Sequence, residues 1–170
     1  MVCFDWIYTI TNKLMREINN IVIHCSATPE GKDYTVKQIR QWHLDRGWRD
    51  IGYHTVIYRD GSVHQGRSDE QIGAGVRGHN KDSIHICYIG GVESKKVDGK
   101  WIPKDTRTDE QKDALIDMCN YYKNLHPQAT VLGHRDFEGV TKACPSFDAL
   151  NEYADITSKF DHLDLDESEA

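Results

Sequence analysis

The stretch "IVIHCSAT", Ile21–Thr28, decides the fold. Three β-branched apolar residues lead straight into His24 and Cys25, and the chain then turns polar. Branched side chains suit a pleated, buried surface, so the stretch reads as a buried strand. Neighbouring residues of a strand point to opposite faces. If His24 faces a site, Cys25 therefore faces the core.

Working outward, "DYTVKQIRQWHLDRGW" has Thr35 and Gln38 at capping-box spacing and Gly47 as a stop, which predicts a helix. Val36, Ile39 and His43 or Trp42 form its inner rhythm. "YHTVIYRDGSVHQGR" predicts two strands around an Asp60-Gly61 turn, and "SIHICYIGG" a further strand from Ser83 to Gly91. The polar loop Glu93–Arg107 follows. A capped helix is predicted from Thr108, with a stripe of Ala114, Leu115, Met118, Tyr122 and Leu125 and an end at Pro127. "ATVLGH" predicts a short strand ending on His134, and "CPSFDALNEYADI" a last helix with Pro145 in its first turn. Strands alternating with helices point to an α/β fold.

The length of 170 residues suits one domain with a single core. Residues 1–14 read as an extension, 15–157 as the domain and 158–170 as an acidic tail. A net charge of −6 argues against nucleic-acid binding driven by overall charge. Five cysteines without a C-x-x-C pair argue against a disulfide framework and for a reducing compartment. No stretch approaches the length of a membrane span. The first residues carry no basic leader before an apolar run, so the chain is expected in the cytoplasm as made.

Nine histidines bring a metal site into view. His24 and His134 both end apolar strands, where α/β folds commonly build sites. Cys144 follows His134 closely and precedes the predicted last helix, whose amino end would favour a thiolate. Two imidazoles and a thiolate make a good zinc set with one open position. Each residue also has a plainer reading: a strand-end His is commonly a structural hydrogen-bonding group, and a lone Cys a small apolar filler.

Several segments carry more than spacing does. "IVIHCSAT", "IRQWHLDRGWRDIGYHTVIYRDGSVHQGR", "SIHICYIGG" and "KACPSF" together resemble the zinc-dependent N-acetylmuramoyl-L-alanine amidases, the superfamily that includes the peptidoglycan recognition proteins, with T-seven-type phage lysozymes nearest in pattern. The resemblance spans roughly Met15 to Ile156. It implies a central mixed sheet flanked by helices, one zinc ion on His24, His134 and Cys144, and catalytic roles for Tyr53 of "IGYH" and Lys142 of "TKACP". It also implies peptidoglycan as substrate, a monomer, and an endolysin-like life in which the chain acts on the cell wall after release. Two positions depart from the pattern. Gly75 of "IGAGVRGHN" stands where a His is usual, with His79 coming later, and His85 of "SIHIC" stands where Gly is usual.

Three other readings compete. A non-catalytic peptidoglycan-binding module would be marked by loss of a ligand such as the Cys, and Cys144 is present. A cysteine amidase would use Cys144 as nucleophile, His134 as base and Asp136 as orienter, leaving His24 without a task. A structural zinc site would need a fourth ligand, for which His43, His54 and His79 are candidates.

Overall fold

The computed structural model describes residues 16–161. The expected extension at 1–14 and, beyond residue 161, the rest of the expected acidic tail at 158–170 lie outside the described residues. In chain order the elements are β1 (Asn20–Cys25), a two-residue β2 (Thr28–Pro29), α1 (Val36–Asp45), β3 (Thr55–Ile57), β4 (Val63–Gln65), β5 (Ser83–Tyr88), a two-residue β6 (Gly91–Val92), α2 (Asp109–Leu125), β7 (Thr130–Gly133), α3 (Ala149–Glu152) and α4 (Ala154–Thr157). Short 3-10 turns follow at His134–Asp136 and Ser158–Phe160. No helix among the described residues is long and apolar enough to cross a membrane.

The main sheet has the order β4-β3-β5-β1-β7. β1 pairs in parallel with both β5 and β7, β3 is parallel to β5, and β4 is antiparallel to β3 at the edge. The sheet is therefore mixed, as the resemblance implied. β5 is buried along its whole length and β1 everywhere but its first residue, because helices or loops cover both faces. That is why "IVIHC" reads as a run and not as an alternation.

The two faces differ in chemistry. Ile21, Ile23 and Cys25 point with Ile84, Ile86 and Tyr88 into the main core, against Ala114, Leu115, Cys119 and Tyr122 of α2. The opposite face carries Val22, packed on Val76 and Phe137, and further along Val56, packed on Ile39 and Ile51. His24 and His85 lie on this second face by alternation, His85 directly beside Val22 in register.

Both long helices start as their sequences predict. In α1 the Thr35 hydroxyl accepts from the Gln38 N–H (3.3 Å) and the Gln38 side chain accepts from the Thr35 N–H (2.9 Å). Thr108 and Gln111 repeat this box at the start of α2. Gln111 then donates to the Ile57 and Ile89 carbonyls, fixing α2 to the ends of β3 and β5. The inner stripe of α2 differs from the expected one in its last turn. Leu125 is 43% exposed. Lys123 is turned inward in its stead and donates to the Ala129 carbonyl at 2.8 Å.

The last helix also departs from expectation. It does not start at Pro145 but at Ala149, with Asp148 as the cap accepting from the Asn151 N–H. Residues 144–147 form a turn closed by the Ser146 N–H on the Ala143 carbonyl (2.7 Å), with Ser146 in the left-handed region at φ 72°. Tertiary contacts outweigh the local helix signal here. Phe147 enters the main core, and the Arg107 guanidinium lies 3.3 Å from its ring centroid while bonding Asp105 and Glu152. The Tyr88 hydroxyl donates to the Pro145 carbonyl at 2.7 Å.

Candidate active site

Parallel pairing of β1 with β7 brings two histidines together. Ile23 is in register with Gly133, so the next residues, His24 and His134, emerge side by side, their ring centroids 4.9 Å apart. The turn at 144–147 supplies the third group. The Arg135 N–H donates to the Cys144 carbonyl (2.8 Å) and the Cys25 N–H to the Cys144 Sγ (3.3 Å), which lies 3.7 Å from His24 Nδ1. Gly133 permits this approach, since a Cβ there would come within 2.6 Å of the Pro145 ring. One donor atom each from His24, His134 and Cys144 lies within 4.8 Å of the others, the only such metal-sized group of His, Cys or carboxylates among the described residues.

Cys25 contributes its backbone and not its thiol. Its side chain points into the main core beside Ser146 Oγ (3.7 Å), where it touches the Cys144 thiol from the core side without joining the three converging donors. The other candidate ligands are occupied elsewhere. His43 Nδ1 accepts from the Gly52 N–H (3.0 Å). His54 Nδ1 accepts from the His85 N–H (2.9 Å), and its Nε2 is 2.9 Å from the Gln71 carbonyl. His79 is exposed and packs on Phe137 at 4.8 Å. The Asp136 carboxylate accepts from the Gly133 N–H at 2.7 Å, so it shapes the turn and does not orient His134.

The imidazoles are held neutral, the state that binds metal. Burial, then the neighbouring His85, His134 and Lys142, push His24 well below its ordinary value. Burial and Lys142 lower His134 as well. Cys144 goes the other way from the sequence expectation. With no helix starting beside it, its contact with Cys25 and its burial hold the thiol up. A cation at the cluster is what would turn it into a thiolate.

A groove of about 520 Å³ opens over the cluster, with His134 on its floor. Trp48 and the segment from Ala74 to Asn80 form one bank, and Phe137 to Lys142 the other. Asn80 Oδ1 accepts from the Gly75 and Val76 N–H groups and so sets the first bank. Lys142 is exposed in this groove. The Tyr53 ring lies 5.2 Å from the His24 ring, and burial pushes its phenol well above the ordinary value. It can donate a hydrogen bond and is a poor base. The groove is not legible in the sequence, because its two banks come from loops far apart in the chain and leave no local periodicity.

With this geometry in hand, comparison with known proteins is specific. The family model of the N-acetylmuramoyl-L-alanine amidases matches residues 14–147. The chain belongs to this amidase family. Among relatives, the endolysin of Enterobacteria phage K11 is 39% identical over 133 residues, covering 78% of this chain and 83% of the endolysin. The endolysin of Escherichia phage T7 is 38% identical over 129 residues, covering 75% and 80%. Among solved structures, the N-acetylmuramoyl-L-alanine amidase LysC from Clostridium intestinale superposes with a TM-score of 0.65 at 26% identity, covering 86% of this chain and 87% of that one. The amidase fold expected from the sequence is thereby borne out.

The buried histidines around the amidase site make the fold acid-sensitive. Burial holds both His43 and His54 at about 4. Unfolding would return each to about 6.5, so between these values the unfolded chain binds more protons. The stability they contribute is complete above pH ~6.5 and is lost as pH falls toward ~4, at up to about 1.4 kcal/mol per pH unit for each group. The urea midpoint of metal-free protein should therefore fall between pH 7 and pH 5. An unchanged midpoint would show that these imidazoles are not buried neutral.

Proposed function

We propose that this amidase cleaves the bond between the lactyl group of N-acetylmuramic acid and L-alanine in peptidoglycan, using zinc held by His24, His134 and Cys144. The carrying observation is the convergence of these three donor atoms within 4.8 Å under the groove. The donor set fits the ion. Two neutral imidazoles and a sulfur are zinc's preferred ligands, and no fourth protein donor joins them among the described residues, the pattern of a catalytic rather than a structural site.

When bound, zinc supplies a Lewis acid that polarises the amide carbonyl and acidifies water. The chain's own residues do the rest. An amide gives a tetrahedral oxyanion, which needs donors placed before the reaction begins. The Lys142 ammonium supplies positive charge from the groove wall, and Tyr53, whose ring centroid lies 5.2 Å from that of His24, supplies a hydroxyl hydrogen bond. Trp48 and the His79–Phe137 pair offer flat faces for substrate rings or chain. Arg77 and Lys142, set against Glu138, leave the groove net positive for a substrate that carries stem-peptide carboxylates, although the whole chain is at −6. The phage endolysins among its relatives support a lytic role, with the chain made inside the cell and reaching the wall after release.

Analysis of the ends released from purified cell walls tests this reading. New L-alanine amino termini are the expected result. New reducing sugar ends would make the protein a glycosidase, and wall binding without any new ends would make it a binding module.

A further inference from the structure

The two positions that depart from the family pattern meet at one place. His85 Nδ1 lies 3.0 Å from His24 Nε2, and both rings are fully buried. A Cβ on Gly75 would fall 2.8 Å from His24 Nε2 and closer still to His85 Nδ1, and one on Gly73 would fall 2.5 Å from His85 Cδ2. Two glycines thus leave the room that the His85 ring fills. The ring also stacks on His54, with centroids 5.6 Å apart and planes at 14°.

We propose that His85 is a positioning residue that fixes the ring of His24 for metal binding. The inference rests on the zinc reading above. His24 Nδ1 faces Cys144, so ligation uses the lone pair on Nδ1 and leaves the proton on Nε2. That N–H then donates to His85 Nδ1, and His85 must carry its own proton on Nε2. Histidine ligands commonly hold their orientation by donating the second ring N–H in this way, to a carboxylate, a carbonyl or a water. Here the acceptor is a neutral imidazole from the neighbouring strand. The arrangement has a cost that stability alone does not explain. His85 Nε2 is buried with no partner among the described residues, and an unpaired buried donor is destabilising. Retaining it is intelligible if the ring's task is to hold His24.

Zinc affinity measured by chelator competition tests this, beside the urea midpoint of each metal-free protein. His85→Leu fills the space without an acceptor. His85→Asn keeps an oxygen near the place of Nδ1. His85→Leu should bind zinc about 10–100-fold more weakly than the native chain, with a metal-free urea midpoint no lower than native. His85→Asn should stay within a few-fold of native affinity. Should His85→Leu fail to fold, the double change Gly75→His with His85→Gly supplies an imidazole to the same space from the groove side. It should bind zinc more tightly than His85→Gly alone. Native-like affinity in His85→Leu, equal losses in the Leu and Asn variants, or no recovery in the double variant would each overturn the proposal. Failure of the native chain to bind zinc in the same titration would instead remove the zinc reading itself.

Discussion

Cys144→Ala should abolish zinc binding and with it detectable amidase activity, and His24→Ala and His134→Ala should do the same. Each supplies one of three donors that converge within 4.8 Å, and no other such donor group lies among the described residues. Lewis-acid stabilisation is worth several kcal/mol in the transition state, so the loss of rate should be on the order of 10³ or more. Cys25→Ala is the control. Its thiol lies in the main core near Ser146 and touches the Cys144 sulfur from that side, its N–H donates to the same sulfur, and it is not one of the three converging donors. That variant should keep its zinc and most of its rate, with a packing loss of about 1–2 kcal/mol. Zinc lost from Cys25→Ala but kept in Cys144→Ala would reverse the ligand assignment.

Lys142→Ala is expected to lower kcat by on the order of 10²–10³ with zinc content unchanged, the usual consequence of removing one oxyanion donor. The ammonium is exposed in the groove, and its charge is felt by both His24 and His134. Tyr53→Phe deletes only the hydroxyl of a ring whose centroid lies 5.2 Å from that of His24, and should also act on kcat more than on KM. If Lys142 only grips a stem-peptide carboxylate, KM would rise while kcat held. That outcome would reject the oxyanion role and leave the metal assignment standing.

What the sequence made legible was local. The apolar run before His24, the two capping boxes and the Asp60-Gly61 turn each fold as neighbours within a few residues dictate. The opposite facing of His24 and Cys25 followed from strand alternation alone. The last helix was misplaced because its start is decided at long range, by Phe147 entering the core and Tyr88 bonding the Pro145 carbonyl. No helix end stabilises a thiolate at Cys144 for the same reason, since the residue sits in a turn. His85 stood out only as a departure from a pattern. Its partner, His24, is 61 residues away and joins it through the pairing of β1 with β5. Lys123 was unreadable for a similar reason: a loop carbonyl at Ala129 makes its burial tolerable.

The zinc site is tested most directly by X-ray absorption at the zinc edge on the purified protein. The account expects one zinc per chain with a single sulfur at about 2.3 Å and two imidazole nitrogens at about 2.0–2.1 Å, completed by a light oxygen ligand. Two sulfurs in the shell would bring Cys25 into the site, and none would remove Cys144 from it; either result would contradict the site built here from His24, His134 and Cys144.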